Sequence, residues 1–155
     1  FVSPLRIVIT VFQQSFKHLS TMNRTHLEGA AEALAAQQGY AFHTGPEDCM
    51  AHTVRSYPAA WLAPLELHAV EGCGHGRATY DMTLHLLSSG ARLSPTERRA
   101  ALARMEEQLL EIFAALSLDE RVLAVEGLSV RPRAFALTPH GEISQTAAAR
   151  IVTFF

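Results

Sequence analysis

Apolar and polar positions alternate strictly from Arg77 to Leu86. Ala78, Tyr80, Met82, Leu84 and Leu86 fall on one side, and Arg77, Thr79, Asp81, Thr83 and His85 on the other. A period of two predicts a strand with one face for a core and one for solvent or a partner. From Ala60 a second extended pattern places Trp61, Ala63, Leu65 and Leu67 on one face, with Pro64 marking an edge position or a bulge. Gly72-Cys-Gly-His-Gly76 connects the two runs, so residues 60 to 87 are expected to form a hairpin.

The pattern changes to a helical period on either side of this hairpin. Thr25-His-Leu-Glu28 has the form of a capping box, and Leu27, Ala30, Ala31, Leu34 and Ala35 follow on one narrow face up to Gly39. A helix over Thr25 to Gln38 is therefore expected, followed by a short strand from Tyr40 to His43. Residues 46 to 59 show no period and read as a loop with one helical turn. Ser94-Pro-Thr-Glu97 combines an N-cap serine, a proline at the first helical position and the capping-box glutamate. From there to Ser117, Leu102, Met105, Leu109, Ile112, Phe113 and Leu116 share a face, and Arg98, Arg99, Arg104, Glu107 and Glu111 lie largely opposite. Beyond it, Arg121 to Val130 and Arg133 to Thr138 read as two strands around Pro132. Pro139 to Ser144 reads as a turn, and Thr146 to Phe155 as a last strand.

This order predicts an α+β fold, α-β-β-α-β-β, with a mainly antiparallel sheet and two helices packed on it. One domain over residues 22–155 accounts for the length. Met22 is the first methionine and stands just ahead of a helix start, so residues 1–21 are read as an extension that is loosely attached or lies outside the native protein. Pro4 to Phe12 has the apolar character of a signal-peptide core, but Arg6 interrupts it and no Ala-x-Ala-like cleavage pattern follows.

Composition narrows the classes of partner. With 48% hydrophobic and 18% charged residues the chain should bury a sizeable core, and a net charge of -2 offers no basic footprint for nucleic acid or an anionic membrane. The two cysteines, Cys49 and Cys73, are too few for a disulfide scaffold. His43, Cys49 and His52, with Cys73 and His75, supply enough ligand types for zinc, but their spacings do not match those of structural zinc sites. The segment 72 to 76 lacks the lysine and hydroxyl residue of a phosphate-binding loop. Glu66 and His68 face Asp81 and His85 across the expected hairpin, as solvated cross-strand pairs do. Trp61 serves equally as a core residue or an interface anchor. No residue is assigned as catalytic, cofactor-binding or metal-ligating, and no cofactor is expected.

Taken in order, the first helix (Thr25 to Gln38), the hairpin (Ala60 to Leu87), the helix Ser94 to Ser117 and the C-terminal strands ending in Ala149-Arg-Ile-Val-Thr-Phe-Phe155 have a familiar pattern. They resemble the small tail completion or tail terminator proteins of tailed phages and prophages, over residues 23 to 155. The resemblance implies self-assembly into a ring, often a hexamer, at the tail end or head-tail joint. It also implies contact with other tail or connector proteins, a place in the virion after assembly in the host cytoplasm, and no enzymatic activity. The alternatives are a small metal- or Cys/His-dependent hydrolase built on residues 43 to 52 and 72 to 76, and a cytosolic oligomeric module that holds a ligand between helix and sheet.

Overall fold

A computed structural model describes residues 23–72 and 75–155. The expectations for residues 1–21 and for Cys73 lie outside the described residues. Helix α1 occupies residues 23–37, followed by strand β1 (Ala41–Thr44), a 3-10 turn (Glu47–Cys49) and the one-turn helix α2 (Met50–Thr53). Strands β2 (Ala59–Leu62), β3 (Glu66–Glu71) and β4 (Arg77–Ser88) precede the long helix α3 (Pro95–Ser117), and β5 (Val122–Pro132) and β6 (Ile143–Phe154) complete the chain. The six strands form one sheet in the order β1-β2-β4-β6-β5, with β3 beside the other half of β4. Only β1 and β2 run parallel; every other pair is antiparallel. The expected α+β class, with a mainly antiparallel sheet, is the observed one.

Strand β4 is the axis of the sheet. It pairs with β6 without a register break from Arg77 opposite Phe154 to Ser88 opposite Ile143. Its alternation therefore sorts both strands into two faces at once. Ala78, Tyr80, Met82, Leu84 and Leu86 join Ala147 and Ile151 in the main core, under α1 and α3. On α3 the buried set is Ala101, Met105, Leu109, Ile112, Phe113 and Leu116, with Leu102 half-buried at the margin. Burying each large apolar side chain contributes about 1.5–3 kcal/mol before entropy is counted.

Local chemistry sets the helix ends. The Glu97 backbone N–H donates to Ser94 Oγ at 3.2 Å and the Ser94 N–H donates to Glu97 Oε2 at 3.0 Å, which completes the capping box. Gly39 ends α1 at φ +85°, and the bonds Gly39 N to Ala36 O and Tyr40 N to Ala35 O have the Schellman pattern. The expected capping box at Thr25 is not formed, because the helix is already running at residue 23. Asn23 is buried on the sheet and donates to Thr153 Oγ1 and to the Phe154 carbonyl, so a tertiary anchor carries the helix past the local start signal.

Two more expectations need correction. The run from Trp61 to Leu67 is not one strand face: the chain breaks at residues 63–65 around Pro64, and β3 carries a further register shift between Leu67 and Ala69. Trp61 pairs with His85, on the face away from α1 and α3, whereas Leu67 pairs with Tyr80, on the helix side. Likewise Arg133 to Thr138 is a loop, and β5 and β6 are each longer than read. The Glu142 carboxylate accepts from the Leu137 and Thr138 backbone N–H groups and from the Thr138 hydroxyl, which curls this segment into a turn.

Leu109 is fully buried at the centre of α3. Leu109→Asp removes a packing contribution of about 2–5 kcal/mol and adds an unpaired buried charge, enough to consume most of a stability of about 5–15 kcal/mol. Loss of the cooperative thermal transition in circular dichroism is expected. An unchanged melting midpoint would contradict the placement of α3 on the core.

Candidate functional site

The second face of the sheet is divided in two. At its β2 end Ala59, Trp61 and Leu87 pack with Met50 and Val54 into a small separate core, flanked by Tyr57 and Leu137. The 3-10 turn, α2 and the 133–142 loop thus cover that half. Trp61 is a member of this core, its indole N–H donating to the Gly45 carbonyl at 2.8 Å and its ring stacking on His43. The Tyr57 hydroxyl meets Thr138 Oγ1 at 2.8 Å and so fastens the loop to the segment before β2.

His85 sits at the boundary of this cover, with its side chain fully buried. Its Nε2 lies 2.7 Å from Glu47 Oε1, and its Nδ1 lies 2.7 Å from Thr146 Oγ1. A carboxylate only accepts, so Nε2 carries the proton, and Nδ1 accepts from the Thr146 hydroxyl. Arg133 closes the ring of contacts, with Nε 3.3 Å from Thr146 Oγ1 and Nη2 3.4 Å from Glu47 Oε1. Four segments of the chain meet here: the 3-10 turn, β4, β6 and the start of the loop. Burial holds the His85 pKa below the ordinary imidazole value, and the Arg133 charge acts the same way, against the opposing pull of Glu47.

The order hydroxyl, imidazole, carboxylate is also that of a nucleophile relay. Here the Thr146 oxygen gives its proton toward Nδ1 and accepts from Arg133, and the hydroxyl belongs to the middle of a strand. What this geometry does is pin the cover onto the sheet while leaving no polar atom of His85 unpaired.

The other half of the second face is open. A shallow concavity of about 600 Å³ lies over β4, β6 and β5, lined by Asp81, Thr83, Glu126, Ser129, Ala148 and Arg150 among others. Asp81 is shared between Arg150 Nε at 3.5 Å and His68 Nδ1 at 3.3 Å. The side chains at its floor are short, and Asp81 is paired with Arg150 across strands. The expected cluster of Glu66, His68, Asp81 and His85 therefore splits: the register sets Glu66 opposite Asp81, with His68 beside them, whereas His85 lies further along β4, buried instead of solvated. Its real partners, Glu47, Thr146 and Arg133, were not singled out by sequence. One signal was present: Leu87, on the same side of β4 as His85, marks the end where the polar face becomes covered.

The other sequence candidates do not converge. Cys49 is exposed in the 3-10 turn, and His43 is engaged with Trp61. Among the described residues no group of three or more His, Cys, Asp or Glu side chains could hold a metal ion. No helix of the described residues is long and apolar enough to cross a membrane. Comparison with known protein families finds no matching family model, and comparison with curated proteins finds no match in sequence.

Because His85 is held below its ordinary pKa of 6.5, the unfolded chain binds the extra proton first as pH falls. Its contribution to stability is complete above pH 6.5 and declines as pH drops from there toward the depressed folded value. Urea denaturation should show stability falling between pH 7.5 and 5, with a shallower decline in His85→Gln. An NMR titration placing His85 at or above the ordinary value would contradict this account.

Proposed function

We propose that the chain is a structural protein of the phage tail completion or tail terminator type. It assembles into a ring, often a hexamer, at the tail end or head-tail joint, contacts other tail or connector proteins there, and has no catalysis of its own. In this reading it is made in the host cytoplasm and ends in the virion. The observation that carries the reading is the uncovered half of the second sheet face. The helices close one face, the cover closes half of the other, and the concavity over β4, β6 and β5 remains for a neighbour.

The sheet edges support this division of surfaces. Strand β5 is broken by register shifts between Val122 and Ala124 and between Glu126 and Ser129, and β3 by one between Leu67 and Ala69. Such irregular edges resist direct strand addition. A ring needs a heterologous contact, in which two different patches meet and the rotation closes. The open face supplies one patch. The β3-β4 hairpin supplies a complementary projecting element, with Leu67 and Val70 exposed along β3. Interfaces of this kind combine apolar contact with paired charges at the rim, as Asp81 and Arg150 provide.

Light scattering on the eluting protein and negative-stain imaging test the proposal. The wild type should form closed rings at high concentration or on isolated tails. Ala148→Arg, which fills the open face without entering the main core, should abolish rings while leaving the melting midpoint unchanged. Wild-type protein that neither forms rings nor joins tails would overturn the reading.

A further inference from the structure

The outer side of α3 has an order of its own. Ala100, Ala103, Leu110 and Ala114 lie on one side of the helix, with Glu107 between Ala103 and Leu110, and all four are exposed, Leu110 to 46%. They form a shallow stripe along about 21 Å of helix, at 1.5 Å per residue, opposite the face that enters the core. Charge along the same helix is polarised. Apart from the capping Glu97 in the first turn, Arg98, Arg99 and Arg104 belong to its first half, and Glu106, Glu107 and Glu111 to its second. This arrangement runs against the helix macrodipole, which favours acidic groups near the N-terminus and basic groups near the C-terminus. The last turn carries no basic residue at all.

Most of these charges make no ion pair inside the subunit. Arg99, Arg104, Glu106 and Glu107 form no ion pair with another described residue. Glu111 accepts from Gln38 Nε2 at 2.7 Å, and Arg98 Nη2 donates to the Gly90 carbonyl at 3.4 Å. A pattern that is unfavourable along its own helix becomes favourable beside the same helix reversed.

We infer that α3 docks antiparallel on α3 of a second copy of this chain, in a two-fold contact separate from the ring contact proposed above. With the two-fold axis near residue 105, Leu110 of one copy is level with Ala100 of the other, and Ala114 with Thr96. The small side chains let the helices approach closely, and the reversed dipoles oppose each other. The basic half of each helix lies along the acidic half of its partner. A parallel arrangement sets like charge on like charge along the whole contact. Exposed ion pairs add little affinity individually, so the charges select orientation and partner while the apolar stripe supplies contact. The contact is isologous: each copy presents the same patch.

The experiment is light scattering of the full chain at low and high salt, on the wild type and on two charge-reversed proteins, R99E/R104E and E106R/E107R. These four side chains are exposed and stand outside the core, so folding is checked simply by an unchanged melting midpoint. At about 0.01 M salt, where the Debye length is about 30 Å, and at a concentration too low for rings, the wild type should have twice the 17.0 kDa chain mass. Near 1 M salt, where that length is about 3 Å, the dimer fraction should fall. Below the concentration at which rings form, each variant alone should be monomeric, because the charges of one helix have become predominantly acidic and those of the other predominantly basic. Mixed in equal amounts, the two variants should restore the dimer mass.

A wild type that stays monomeric at every salt concentration means that something other than a second copy covers the stripe, and overturns the inference. Variants that keep the wild-type mass overturn it as well. Variants that form rings and also keep the wild-type salt-sensitive pairing would remove the α3 contact and leave the ring reading intact. A dimer that dissociates as described but never forms rings would do the reverse.

Discussion

The unbroken pairing of β4 with β6 is the constraint on which the rest of this structure depends. Twelve consecutive positions face each other with no bulge. One choice of phase therefore decides which side of both strands enters the core. A slip of one residue would turn Tyr80, Met82 and Leu84 outward and send Asp81 and Arg150 under the helices. Every other element is fitted to this pair. Helices α1 and α3 cover the apolar side, β2 and β3 share the outer edge of β4, and β5 follows β6. Irregularity is confined to those partners, where register shifts cost the core least.

The two faces then follow different rules. The helix side is closed by a continuous set of large apolar side chains and needs few polar ties, such as Gln145 Nε2 on the Leu102 carbonyl. The second side is closed only where Trp61, Met50 and Leu87 build their own core, and the His85 network fastens that cover with polar contacts. Past His85 the face opens onto short side chains and the Asp81 pairs. The functional reading rests on that change from covered to open along a single strand. In the proposed reading, an open half-face beside irregular edges makes facial contact the way for copies or partners to join.

Sequence legibility followed the range of the interactions. Helix α3 was readable to the residue, because Ser94 and Glu97 cap it within one turn and its apolar stripe repeats locally. Strand β4 was readable because its alternation is uninterrupted. The start of α1 was misread, since Asn23 is anchored by Thr153 and Phe154 at the far end of the chain. The face change across Pro64 was missed, because alternation read through a break carries no record of the lost phase. The His85 site stayed hidden for the same reason: Glu47, Arg133 and Thr146 are distant in sequence and converge only when β6 and the loop are in place. The loop itself looked like a strand, and only the Glu142 carboxylate, gathering the N–H groups of Leu137 and Thr138, makes it a turn.

The central claim is that the open half of the second face becomes covered when the protein assembles. Thiol labelling at Ala148→Cys, with Cys49 and Cys73 replaced by serine, reads that directly. Residue 148 should react readily with a maleimide in the dissociated protein and be protected in the assembled particle. Equal reactivity in both states would contradict the account.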